Sequence, residues 1–123
     1  MRLVLGNKAY SSWSLRPWLL LRVAGIPFEE IPLAIGTTQF RERIVHLSPN
    51  QRVPALIDGE LTVWDSLAIA EYLAERFPEK QLWPADASAR AHARSVSAEM
   101  HSGFSALRAH MTMNVRRVFT KRA

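Results

Sequence analysis

Residues 53–77, VPALIDGELTVWDSLAIAEYLAERF, read as a hairpin that runs straight into a helix. Pro54 opens a short strand of Ala55, Leu56 and Ile57, and Asp58-Gly59 is a strong two-residue turn signal because Gly tolerates positive φ. Leu61, Thr62, Val63 and Trp64 return as the second strand. Asp65-Ser66 then starts a helix, since short polar side chains satisfy the amide donors that a first turn leaves over. Leu67, Ala70, Leu73 and Phe77 form one apolar face at helical spacing, Ile69 and Tyr72 widen it, and Pro78 ends it. A proline at the start of a strand removes a ladder donor. A cis Val53-Pro54 bond, which leaves the Val53 backbone open to pair with a ligand, is one arrangement that accommodates it.

Working outward, Arg2 to Leu5 is a first strand whose continuous apolar run suits burial on both faces. Gly6 to Tyr10 is a loop. Ser11, Ser12 and Ser14 crowd the start of a helix, with Pro17 expected in its first turn and Gly25 at its C-terminal cap. Leu15, Trp18, Leu19, Arg22 and Val23 give that helix its period. Residues 28–33 alternate as a second strand, and residues 38–47 form a short helix with Phe40, Ile44 and Leu47 on one side. The order is strand, helix, strand, helix, strand, strand, helix. A right-handed crossover makes the first two strands parallel, and the hairpin adds an antiparallel pair. This α/β order (βαβαββα, mixed sheet) resembles a thioredoxin-like domain.

Residues 78–87 read as a linker. Beyond it, a single helix is expected over about 88–110, with Ala93, Val96, Met100, Phe104, Leu107 and Met111 as one stripe. A lone helix cannot bury such a stripe against itself, so residues 88–123 are read as the start of an incomplete all-α domain.

The 123 residues are 48% hydrophobic, enough for one compact domain. No apolar run is long enough to span a membrane, and the N-terminus is too short in apolar residues for a signal peptide. The absence of cysteine excludes disulfides and thiolate metal sites. The net charge of +5 is concentrated in Arg116, Arg117, Lys121 and Arg122; with these set aside, 12 Lys/Arg stand against 11 Asp/Glu. No basic face for nucleic acid follows. None of His46, His92, His101 and His110 stands three or four residues from another histidine, and they are expected at the surface without a metal.

VPALIDG…DSLAIAEYLAERFP is similar to the Val-Pro-x-Leu…Glu/Asp-Ser-x-Ala-Ile motif of glutathione S-transferases, and SSWSLR resembles the Ser-Ser-Cys-Ser-x-Arg signature of their zeta class. The resemblance implies residues 1–77 as a thioredoxin-like glutathione-binding domain. It also implies a small electrophile as second substrate, a homodimer in the cytoplasm, and an all-helical second domain larger than these residues provide. Ser11 and Ser12 become the candidate thiolate-stabilising hydroxyls, with Arg16 a supporting cation. Val53 and Pro54 would pair with the ligand's backbone, and Asp65 and Ser66 would hold its γ-glutamyl end; Gln39 matches a glutamine that touches glutathione. Trp13 replaces the signature's cysteine, and Pro17-Trp18 replaces its Val-Arg.

These roles make chemical sense. A free thiol of pKa about 8.5 is only a few per cent thiolate at neutral pH, and thiolate is the nucleophile. Lowering that value by about two units takes roughly 2.7 kcal/mol of differential stabilisation. Hydroxyls at the positive end of a helix can supply it. The expected activity is conjugation of glutathione to an electrophile, with glutathione-dependent isomerisation (maleylacetoacetate isomerase-like) and a non-catalytic binding or dimerisation module as alternatives. Thiol-disulfide exchange needs a cysteine and is excluded.

Overall fold

The computed structural model describes residues 1–118. The elements run β1 (Arg2–Leu5), α1 (Ser12–Val23), β2 (Glu29–Pro32), α2 (Thr38–Ile44), β3 (Ala55–Asp58), β4 (Leu61–Trp64), α3 (Ser66–Arg76), a 3-10 turn (Pro78–Lys80), α4 (Ala87–Ser102) and α5 (Ser105–His110). The strands form a mixed sheet in the order β2-β1-β3-β4. β1 and β2 are parallel, and β1 with β3 and β3 with β4 are antiparallel. This is the thioredoxin-like arrangement expected from the element order.

Strand alternation sorts the core into two layers. Leu3, Leu5 and Leu56 cluster with Leu21 of α1 and Ile69 and Leu73 of α3. Val4, Ala55 and Ile57 point the other way and cluster with Ile44 of α2. The unbroken apolar run of β1 thus serves a strand covered on both faces.

Ser11 caps α1, its side chain accepting from the Ser14 amide. The helix ends in a Schellman arrangement: Gly25 has φ +65°, its N–H bonds to Arg22 O, and the Ile26 N–H bonds to Leu21 O. Pro17 lies inside α1, a turn later than expected, where it cannot donate to the Trp13 carbonyl. The buried side of α1 is Ser14, Pro17 and Leu21, whereas Leu19 and Val23 of the expected period are exposed.

The hairpin turn also sits one residue later than the Asp58-Gly59 signal suggests. Asp58 pairs with Leu61, leaving Gly59 and Glu60 as the turn, with Gly59 at φ +61°. A single positive φ at the first central position is what a type II′ turn requires. The Val53-Pro54 bond is cis.

The single helix expected over 88–110 is two helices. The Gly103 N–H closes α4 on the Glu99 carbonyl, and Phe104 takes φ +60° before α5. A Cβ on Gly103 would stand 2.9 Å from the Glu99 carbonyl oxygen, so only glycine allows the chain to turn here. Arg108 reinforces the corner by donating to the Gly103 and Met100 carbonyls. Val96 and Met100 remain exposed on α4 and Leu107 on α5, with Phe104 and Met111 exposed at the two ends of α5, so the expected stripe is broken. The last residues of the 88–123 segment, with Lys121 and Arg122 of the basic tail, lie outside the described residues. Among the described residues, no helix is long and apolar enough to cross a membrane.

Candidate functional site

Sheet register brings the site together. Val4, Ala55 and Trp64 are aligned across β1, β3 and β4. The loop leaving β1, the Val53-Pro54 entry to β3 and the Asp65 exit from β4 therefore meet at one end of the sheet. The N-termini of α1 and α3 open at that same end, and each presents positive partial charge there.

At α3, Asp65 caps the helix: its Oδ1 accepts from the Leu67 and Ala68 amides at 2.9 and 3.3 Å. Its φ of 77° is uncommon for a residue with a Cβ, a conformation that costs on the order of 1–3 kcal/mol and concentrates at functional sites. Ser66 follows at 5% exposure, and its Oγ is buried without a hydrogen-bond partner. Buried hydroxyls are nearly always paired, and Ser66 shares its cavity with His101, whose Nδ1 is likewise buried without a partner. A cavity of about 300 Å³ opens over Asp65 and Ser66, with Val53, Pro54, Arg52 and Trp13 among its walls.

A second cavity, about 380 Å³, lies over the start of α1 and is lined by Ser11, Ser12, Arg16 and Arg108. Ser11 Oγ accepts from the Ser14 amide at 3.3 Å and lies 3.0 Å from Ser14 Oγ. A third, of about 400 Å³, runs between α1, α3 and α4, with Arg16 and Ser66 on its wall. Seven of the eight residues expected from sequence thus line adjoining cavities. Gln39 lies exposed on the first turn of α2 and lines none of the three.

Three further residues enter that sequence reasoning left out. His101 is not a surface residue like His46, His92 and His110; it is half-buried, with Nε2 3.0 Å from Asp65 Oδ2 and Nδ1 buried without a partner. It meets Trp13 edge-on with ring centroids 5.2 Å apart. Arg16 and Arg108 each place a guanidinium 4.4 Å from the Trp13 ring centroid. Burial, then the charge of Arg108, hold the Arg16 guanidinium below its ordinary pKa, while Asp65 pulls the other way. Arg16 makes no hydrogen bond or ion pair among the described residues, and it lines two of the three cavities. The signal for Trp13 was its departure from the zeta signature; nothing local marks His101 or Arg108.

The outer helix is fastened to this frame by Glu71, which accepts from Arg94 Nε and Nη2 at 3.0 and 3.1 Å and from Trp83 Nε1 at 3.1 Å. Arg94 first, then Trp83, holds the Glu71 carboxyl below its usual value. Among the described residues, no group of three or more His, Cys, Asp or Glu is placed to hold a metal ion.

A thioredoxin-like sheet with two helix N-termini opening beside a proline-led strand defines the class of domain. Residues 10–76 match the family model described as "Glutathione S-transferase, N-terminal domain". The chain belongs to the glutathione S-transferase family, with a zeta-like N-terminal domain. It is 42% identical over 101 residues to a maleylacetoacetate isomerase of Rattus norvegicus, covering 79% of this chain and 46% of that protein. A glutathione transferase homologue from Burkholderia, solved with bound glutathione, is similar at 31% identity and TM-score 0.74, over 86% of this chain and 56% of its own. A holo structure of a zeta-class bacterial maleyl pyruvate isomerase is similar at 29% identity and TM-score 0.76, over 90% of this chain and 52% of its own. The chain spans about half the length of these relatives.

Proposed function

We propose that this chain supplies the glutathione-binding half of a glutathione-dependent enzyme, with residues 1–77 as the binding unit, 78–87 as the connection and 88–123 as the start of a helical domain. The observation that carries the proposal is the buried, unpartnered Ser66 hydroxyl beside the Asp65 carboxylate at the N-terminus of α3. The γ-glutamyl end of glutathione is its complement. Its carboxylate suits the Ser66 hydroxyl and the Ser66 amide, the Leu67 and Ala68 amides being taken by Asp65 Oδ1, and its ammonium suits the Asp65 carboxylate beside His101. Val53 and Pro54, in the same cavity, adjoin the extended middle of the ligand. Glutathione supplies a thiol nucleophile when bound. Ser11 or Ser12 donates a hydrogen bond that favours its ionised form, helped by the positive end of α1.

The reaction favoured is isomerisation of an olefinic keto acid. Two relatives are named for isomerisation of such acids, and the free donors of Arg16, with Arg108 nearby, form a cationic wall suited to a substrate carboxylate. The second reading is conjugation to an uncharged electrophile, favoured by Trp13 in place of the signature's cysteine. Self-association belongs to the same proposal, because Val96, Met100, Phe104, Leu107 and Met111 leave an exposed apolar surface.

The test measures glutathione-dependent isomerisation of maleylacetoacetate against conjugation of an aryl halide by the same sample. Under the isomerase reading the acid has the higher kcat/KM, and Arg16→Gln raises its KM about tenfold or more with glutathione affinity unchanged. Turnover of the aryl halide alone moves the assignment to conjugation. Absence of glutathione binding overturns both.

A further inference from the structure

Ser14 is the one member of the serine run that the proposed chemistry does not use, and it is fully buried. Its Oγ accepts the Gly6 amide at 2.9 Å, tying the end of β1 to α1. The Ser14 and Ser11 hydroxyl oxygens are 3.0 Å apart, and either proton could lie between them. Burial decides which. If Ser11 donated, Ser14 would accept twice and its own proton, at 0% exposure, would have no acceptor. Such an orphan is strongly disfavoured. If Ser14 donates, its proton is satisfied, and Ser11 Oγ accepts both the Ser14 hydroxyl and the Ser14 amide. The Ser11 proton is then left to point outward, into the cavity it shares with Arg16. Donors converging on an oxygen also polarise its remaining O–H, making it a better donor. Ser12 differs in kind: its hydroxyl makes no hydrogen bond among the described residues, and nothing fixes its rotor.

We propose that Ser14 is a positioning residue: through the Gly6–Ser14–Ser11 chain it aims the Ser11 proton into the cavity, at the ligand sulfur. The proposal rests on the glutathione reading above. It predicts an effect at a side chain that touches neither ligand nor solvent.

The experiment titrates the thiolate absorbance of glutathione bound to the full chain, alongside glutathione affinity and thermal unfolding. Ser11→Ala raises the bound thiol pKa and Ser12→Ala leaves it unchanged. Ser14→Ala raises it by about 0.5–1 unit, because Ser11 keeps its hydroxyl but loses its orientation. Glutathione affinity stays within about threefold, the γ-glutamyl anchors being remote from this change. The double Ser11→Ala/Ser14→Ala variant titrates like Ser11→Ala alone. Ser14→Cys, close in size but a weaker donor, gives an intermediate rise and carries the test if the alanine variant fails to fold. A normal thiol pKa in a folded Ser14→Ala or Ser14→Cys variant, with Ser11→Ala raised, overturns this inference and leaves the glutathione reading standing. A wild-type chain that binds no glutathione overturns both.

Discussion

Replacing Ser66 by Ala should stabilise the ligand-free protein while weakening glutathione binding. The two effects share one cause. The Ser66 hydroxyl is buried without a partner, and desolvating such a group costs about 1–3 kcal/mol in protein mutational data. Ala keeps the Cβ and the helical backbone, removes the orphan and leaves a gap of one oxygen. Most of that cost should be recovered, raising Tm by a few degrees for a chain of this size. With glutathione present, the lost bond is one to a carboxylate, for which about 1.5–3 kcal/mol is typical. That corresponds to a roughly 10- to 150-fold weaker Kd. Thermal unfolding without ligand and calorimetric titration with glutathione give both numbers on one preparation. A variant that is less stable than wild type and binds glutathione equally well would show Ser66 to be an ordinary packed residue of the first turn with no part in binding.

Leu56→Ala, at a fully buried position in the middle of the sheet, should cost about 2–5 kcal/mol and lower the urea midpoint accordingly. Glu71→Gln should loosen α4, visible as faster amide exchange in α4 with β1 and β3 unchanged. Acid should destabilise the fold through Glu30 and Glu71. Glu30 is held below its usual value by hydrogen bonds from Lys8, then Trp18, and Glu71 by those from Arg94, then Trp83. Because these folded-state values lie below the ordinary 4.5, their stabilisation is complete above that pH and is lost as pH falls from there through the lower folded values. Urea midpoints taken across this range should decline, and the decline should shrink in a Glu30→Gln/Glu71→Gln variant.

The parts of the fold set by local chemistry were legible in the sequence. β1 and β4 were read to their observed limits because each is a compact apolar run bounded by polar or turn residues. Asp65 was readable as a helix start because capping is a local demand. The errors lie where the deciding contact is not hydrophobic or not local. The α1 face was misphased because two of its three buried residues are Ser14 and Pro17, which an apolar period passes over. The turn shifted from Asp58-Gly59 to Gly59-Glu60 because strand register, not dipeptide preference, chose which residue takes the positive φ. The long helix broke because an apolar stripe runs smoothly through Gly103, whose backbone contact with Glu99 is invisible to periodicity. His101 and Arg108 reach the site only because α4 packs on α3 and the chain turns at Phe104. No short-range pattern encodes either.

A glutathione site between the N-termini of α1 and α3 is open to backbone amide NMR of the full chain titrated with reduced glutathione. Saturable shifts should centre on Ser12, Val53, Ser66, Leu67 and Ala68, with β2 and the exposed side of α4 silent. Absence of saturable shifts, or shifts confined to α4, α5 and the residues beyond them, would mean that no glutathione site lies there.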